Sequence, residues 1–527
     1  MLALWCARIV MPTSLYFMDN KIFNNRLNFL FFVFVFIAVS YIWRLIYLQI
    51  YRHDIYVDMA KKQYSIKMSA SSERGRIMAQ NRIIGPTVIA ENIEDKYTKD
   101  GKEYASSKRI YILGEVGAKA LGYFGHTDDS YRGLYGIEKY YNDILQRTDG
   151  DVYANLFAEL FADVSGGTFN NIDNRRGDIV LTTDIEASRF LYKTLNEIKD
   201  EWHGDIVGGI IMDPRDGRII AMDEIPSFDP NKYQDYPISN YKNDLISGVY
   251  EMGSIMKPIT MAAALDAGVV TSNTTYDDKG VRELNGYKVK NFDGKARGIV
   301  AIHEILDQSL NVGIVFLVEH LGTERFGKYM HAFGIGDETG IDLPNEASGL
   351  TKNIDSNVLV DAATSGFGQG IAITPLQTIR ALAVIGNGGL LVNPYIVDSV
   401  IYDNGKEKKI IPNEGVRVIK ASSSEEVTRM LVHVVDESLK KGKYKMEHYA
   451  IAAKTGTAQM AQPGGGYYDD RYLHSFFGYF PAYDPRYIVF LFHVHPKGAE
   501  YASDTLTEPF FRIVKFLINY YSVPPDR

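Results

Sequence analysis

The run from Leu27 to Trp43, LNFLFFVFVFIAVSYIW, carries no formal charge, and it constrains the layout of the whole chain. Its length lies at the short end for a membrane-spanning helix, and the stems of Arg26 and Arg44 extend it by snorkelling. Apolar character resumes after Arg44 as LIYLQIY, while Trp43, Tyr47 and Tyr51 suit the far interface. A cleaved signal peptide is the rival reading, because Ala38-Val39-Ser40 offers small residues at cleavage spacing. An uncleaved anchor is favoured, since the apolar residues continue well past that point. Lys21 and Arg26 precede the span and Arg44 and Arg52 follow it, so loop charge does not fix orientation. Met18-Asp19-Asn20-Lys21 is a second possible start. The expected layout is a short cytoplasmic tail at 1–26 and an anchor at 27–50.

A chain of 527 residues is too long for one ordinary domain, and a hydrophobic content of 46% supports real cores. Lys+Arg 57 against Asp+Glu 65 leaves a formal charge of −8 with no basic block, so nucleic-acid binding has no electrostatic support. Cys6 is the single cysteine, which excludes an internal disulfide and a cysteine-based zinc site.

Residues 51–185 read as a mixed unit. Arg76-Ile77-Met78 and Tyr111-Ile112-Leu113 are expected strands, and the polar stretch that ends at Arg175-Arg176 reads as a surface connection. Asp178 to Thr183 reads as a strand and Ile185 to Ile198 as a helix. From 186 to 527 the pattern is that of one large domain. Ile206 to Met212 and Ile219 to Met222 form an expected hairpin around Asp213 to Arg218. A predominantly helical centre is expected over about 253–440. Ala450 to Ala458, His474 to Phe480 and Tyr487 to His495 follow as strands, and Glu508 to Tyr521 as a closing helix with Pro509 in its first turn. A sheet built from both ends of a domain around a helical insertion makes the fold class multidomain α+β.

The chemistry begins at Ser254-Ile255-Met256-Lys257, which opens a helical run after Gly253. Residues three apart share a helical face, so the Ser254 hydroxyl and the Lys257 amine can meet. The positive field at a helix N-terminus disfavours an ammonium there and helps keep Lys257 neutral. Alone, Ser-x-x-Lys reads far better as a helix cap with a surface lysine. Two later groups change that: Ser309-Leu310-Asn311 and Lys454-Thr455-Gly456-Thr457.

These three motifs in this order resemble those of the class B penicillin-binding proteins, single-pass monofunctional D,D-transpeptidases of bacterial wall synthesis. The likeness runs from the anchor to the last helix. Arg74-Gly75-Arg76-Ile77 and Gly133-Leu134-Tyr135-Gly136-Ile137-Glu138 resemble the anterior, pedestal part of the family. Gly366-Phe367-Gly368-Gln369-Gly370, Thr374-Pro375-Leu376-Gln377, Asn387-Gly388-Gly389 and His474 to Pro481 resemble its catalytic part, where they read as structural. Met252, where the family usually has proline, and Ile255, inside the tetrad, depart from the pattern.

The resemblance implies a transmembrane helix, a mixed α/β pedestal of the dimerisation type and a penicillin-binding transpeptidase domain with an antiparallel sheet flanked by a helical subdomain. Ser254 is then the nucleophile towards peptidoglycan stem peptides and β-lactams, with Lys257 as its base. Ser309 relays a proton, Asn311 holds Lys257 and the substrate amide, and Lys454 supplies positive charge. Thr455 and Thr457 bind the substrate carboxylate, and Gly456 keeps the strand edge clear. The backbone N–H groups of Ser254 and Thr457 form the implied oxyanion hole. No cofactor is implied. His303, His474, His493 and His495 invite a metal reading, but no acidic partner is evident beside His493-Val494-His495, and no metal is expected.

An acyl-enzyme hydrolase, such as a β-lactamase or carboxypeptidase, is one alternative, and an inert division scaffold or sensor is another. Family analogy implies plasma-membrane placement with the catalytic part outside, and a polytopic glycan polymerase with division or elongation proteins as partners. The compact pedestal leans the reading towards septal rather than side-wall work.

Overall fold

The computed structural model describes residues 20–47, 74–99, 102–127, 131–146 and 176–527. Cys6, Met18, Tyr51 and most of the connection before Arg176 lie outside them. Residues 1–70 and 71–527 are separate compact units. In the first, a helix spans Asn20–Ile46. Its described aromatic side chains, including Phe31, Phe34, Phe36 and Trp43, are exposed. Among the described residues no helix is long and apolar enough to cross a membrane.

The second unit holds a six-stranded sheet in the order Glu407–Lys409, Val397–Tyr402, Gly177–Asp184, Ile77–Gln80, Thr87–Lys99 and Lys102–Tyr111. Ile77–Gln80 runs parallel to Gly177–Asp184, and the other pairs are antiparallel. Strands from both sides of residue 185 thus share one sheet. The expected strand at Tyr111 to Leu113 ends at Tyr111, and Ile112 is exposed.

Beside this sheet the two anterior motifs meet. Arg74 Nε donates to Glu138 Oε2 at 2.6 Å, Arg109 pairs with Oε1 at 3.0 Å, and the Tyr111 hydroxyl donates to Oε1 at 3.1 Å. Glu138 is fully buried. Burial opposes its ionisation, but Arg109 and Arg74 outweigh that and hold the carboxyl below its ordinary value. Gly133 is required here: a Cβ would lie 1.7 Å from the Glu138 carbonyl oxygen.

The second large sheet is antiparallel throughout, in the order Ala452–Ala461, Tyr467–Phe480, Tyr487–Val494, Ile206–Met212 and Ile219–Ile225. Side chains alternate across it. Phe476, Phe480, Val489 and Leu491 pack with Leu191 and Leu195 of helix Ile185–Trp202 and with Phe510, Val514 and Leu517 of helix Thr507–Tyr521. Phe477, Tyr479, Phe490 and Phe492 face the central helices on the other side, among them Ile259, Leu382 and Ile385. Helix Ile185–Trp202 starts where the Asp184 carboxylate accepts the N–H groups of Glu186 and Ala187; such a cap contributes about 0.5–2 kcal/mol. Thr374 and Gln377 form a capping box with Pro375 in the first turn, which gives that family-like motif its structural reason.

The helical centre is less uniform than expected. It contains the ribbons Thr275–Asp278 with Gly298–Ala301 and Val281–Leu284 with Tyr287–Lys290, besides strand Val397–Tyr402. Short strands that pair locally give no long apolar period to read.

Candidate active site

Gly253, with φ of 65°, opens a 3-10 turn over Gly253–Met256 that passes into helix Lys257–Asp266, with Pro258 in its first turn. Ser254 therefore sits one turn before the α-helix rather than at its first position. In a 3-10 turn residues i and i+3 eclipse, which keeps Ser254 and Lys257 on one side. Met252 and Ile255, the departures from the family pattern, are buried in the core, and the Met252 carbonyl accepts the Ser475 hydroxyl at 2.8 Å.

Lys257 has no exposed surface. Its Nζ donates to the Ser309 carbonyl oxygen at 2.6 Å and to Ser309 Oγ at 3.1 Å. Burial holds the amine well below the ordinary lysine value, and the nearby Lys454 pushes the same way. Desolvation thus does what the sequence argument assigned to the helix-end field. Ser309 has φ of 55°, a left-handed conformation rare outside glycine and asparagine. Such strain persists where surrounding contacts fix it. Asn311 does not hold Lys257 here: its amide donates to the Lys290 carbonyl at 2.9 Å, and Ser309 takes the role.

Strand Ala452–Ala461 is the edge of the five-stranded sheet and carries Lys454 to Thr457. Thr455 and Thr457 are half-buried and face one cleft, whereas Lys454 is buried. Burial pushes the Lys454 amine down to about 8, against the opposing pull of the Asp307 charge. Lys454 Nζ donates to the Thr455 carbonyl at 3.1 Å. Gly456 has a reason the sequence did not show: a Cβ there would lie 2.3 Å from Ser475 Oγ and 2.8 Å from the Met252 carbonyl oxygen. It lets the strand press against the Ser254 turn. A Cβ on Gly253 would likewise lie 3.0 Å from the Thr457 carbonyl oxygen, and one on Gly368 2.3 Å from that of Gly253.

The three motifs converge on one cleft of about 480 Å³ lined by Ser254, Ser309, Asn311, Thr455 and Thr457. Sequence reasoning missed Lys290, Phe292, Tyr472, Glu500 and Tyr501 on its walls. Phe292 and Tyr501 come from distant segments and pack edge to face, with ring centroids 6.2 Å apart. No local pattern marks such a pair. Of the histidines considered for a metal, His474 and His493 face each other across the sheet register and are buried, at about 4 and about 3 respectively through desolvation. His474 Nδ1 meets Thr505 Oγ1 at 2.8 Å, and His495 pairs with Asp205.

The Ser254 turn, the buried amine of Lys257 held on Ser309, and the edge strand that turns Thr455 and Thr457 to the same cleft bring together the groups that serine acyl transfer uses. Residues 207–514 match the penicillin binding protein transpeptidase domain, and the chain belongs to that family. Stage V sporulation protein D of Bacillus subtilis strain 168 is 33% identical over 409 residues, which is 76% of this chain and 62% of that protein. This chain thus spans less than two thirds of that relative's length. The peptidoglycan D,D-transpeptidase FtsI of Escherichia coli K12 is 27% identical, covering 88% of this chain and 76% of that one. The crystal structure of penicillin binding protein 3 from Mycobacterium tuberculosis complexed with ampicillin has a TM-score of 0.74 at 25% identity, covering 87% of this chain and 97% of that one.

Proposed function

We propose that this protein is a serine D,D-transpeptidase that cross-links peptidoglycan stem peptides through an ester on Ser254, and that β-lactams trap it at the same ester. The observation that carries the reading is the amine of Lys257, stripped of water and held on Ser309 at the cleft that contains Ser254. Such an amine accepts a proton at neutral pH, where an exposed one is already charged.

Ser254 Oγ attacks the penultimate D-alanine carbonyl, and its proton passes to Lys257 Nζ. The closeness of Gly253 to the Thr457 carbonyl supports an oxyanion site made by the backbone N–H groups of Ser254 and Thr457. The carbon–nitrogen bond breaks, and terminal D-alanine leaves with a proton relayed through Ser309. The amine of a second stem peptide then attacks the ester, forms the new amide and returns the proton to Ser254. Thr455 and Thr457 hold the donor carboxylate, Lys454 supplies positive charge near Ser309, Gly456 sets the strand against the nucleophile turn, and Asn311 orients the substrate amide.

The segment at 27–50 anchors the chain in the plasma membrane, 51–185 forms the pedestal, and 186–527 works on the outer side. The uncharged run and its exposed aromatic side chains support this. A polytopic glycan polymerase of a division complex is the expected membrane partner, with septal duty favoured over elongation.

The test uses the purified chain, a pentapeptide stem as donor and an amine acceptor. Release of D-alanine together with formation of the amide, both lost in Ser254→Ala, is the expected result. D-alanine release without any amide product would replace transpeptidation with hydrolysis.

A further inference from the structure

One wall of the cleft is carried by the short segment 500–505, which ends in the helical turn Ala502–Thr505. Two side chains of the five-stranded sheet hold it. The Ala502 N–H donates to Thr457 Oγ1 at 3.1 Å. His474 stands directly opposite Thr457 on the neighbouring strand and reaches both ends of the segment. Its Nδ1 lies 2.8 Å from Thr505 Oγ1 and its Nε2 lies 3.1 Å from the Glu500 carbonyl oxygen.

These partners fix the roles of the two ring nitrogens. A carbonyl oxygen only accepts, so Nε2 carries the proton and Nδ1 accepts the Thr505 hydroxyl. The other acceptor within reach of that hydroxyl, the Ala502 carbonyl, is further away at 3.5 Å. His474 has no exposed surface, and burial pushes its imidazole down to about 4, so the ring is uncharged at ordinary pH. His493, opposite it on the next strand, is buried too, and its ring nitrogens have no hydrogen-bond partner. It packs behind His474 without competing for the segment.

We propose that His474 is a positioning residue for the acyl-transfer site: it clamps segment 500–505 so that the Ala502 N–H fixes the Thr457 hydroxyl as a donor to the substrate carboxylate. The inference rests on the transpeptidase reading of Thr457. A hydroxyl has a single proton. Once the oxygen accepts from Ala502, that proton is turned away from Ala502, and the cleft that Thr457 lines is open to it. Setting the donor before substrate arrives removes an ordering cost from binding. The same clamp carries Tyr501, which lies between the two tethered ends and packs against Phe292.

The experiment uses the full chain in detergent, with His474→Phe, Thr457→Val and the double variant. His474→Phe keeps a buried ring and loses both hydrogen bonds. Hydrogen exchange over 500–505, followed by mass spectrometry, reads the clamp without any reaction. Exchange at least about tenfold faster than in the wild type is expected in His474→Phe. The second readout is the second-order rate constant for acylation by a fluorescent penicillin, whose carboxylate stands in for that of the donor peptide. His474→Phe and Thr457→Val should each lower it at least about fivefold. The double variant should lie within about twofold of Thr457→Val alone, because both changes remove one contact. A histidine that served folding only would give losses that multiply. Multiplying losses, or unchanged exchange in His474→Phe, would overturn the proposal. If His474→Phe does not fold, as judged by circular dichroism, Thr505→Val replaces it with the same expectations. Folded wild type that takes no penicillin would instead remove the acyl-transfer reading, and exchange would still decide the clamp.

Discussion

Lys257 Nζ donates to the carbonyl oxygen of Ser309 at 2.6 Å and to its hydroxyl at 3.1 Å, so two motifs 52 residues apart form one hydrogen-bonded unit. The left-handed backbone of Ser309 is part of that unit. The arrangement satisfies a fully buried amine without an acidic partner, and a neutral amine is the form it favours.

Removing this base should slow β-lactam acylation about 10²–10⁴-fold, the usual worth of a general base. Lys257→Ala and Lys257→Arg should both show the loss, because arginine stays charged. Lys257→Met should melt higher at neutral pH. The folded amine titrates lower than the unfolded one, so the unfolded state binds the extra proton and the wild-type lysine opposes folding there. Stopped-flow acylation and thermal melts check the two halves.

The pH profile of acylation should be bell-shaped. The acid limb rises as Lys257 loses its proton, at a pH well below that of a free lysine. The alkaline limb falls near pH 8, where Lys454, pushed down to about 8 by burial, ceases to supply positive charge beside the cleft. Lys454→Arg should move the alkaline limb upward by keeping the charge. Rate constants for a fluorescent penicillin across pH 5–11 would read both limbs.

Glu138 holds Arg74 and Arg109 in a buried cluster far from the cleft in sequence. Glu138→Ala should cost about 3–5 kcal/mol by leaving two buried cations unpaired. The contribution is full above the ordinary carboxylate range and is lost as pH falls through the depressed folded value. Denaturant titration of the variant at pH 7, and of the wild type from pH 7 downward, measures it.

Gly456→Ala should act on both stability and rate. The new methyl meets the Met252 carbonyl and Ser475 Oγ, so the strand must move off the nucleophile turn. A loss of about 1–3 kcal/mol is expected from such overpacking. A drop in acylation rate should accompany it.

Much of the site was legible because its signals are local. Ser254 and Lys257 are one turn apart, and Thr455 and Thr457 alternate along one strand. The hairpin around Asp213 and the closing helix read correctly for the same reason. What stayed hidden depends on contacts between distant segments. Strand Val397–Tyr402 inserts beside Gly177–Asp184, which no periodicity announces. Asn311 looked like the partner of Lys257, but the left-handed turn at Ser309 brings its carbonyl to the amine and sends Asn311 to Lys290.

The most direct measurement is covalent labelling of the intact protein with a fluorescent penicillin, followed by peptide mass mapping. One adduct, on the peptide that contains Ser254, absent in Ser254→Ala and slow to form in Lys257→Ala, is the predicted result. An adduct on another residue, or none in protein shown to be folded, would contradict the account.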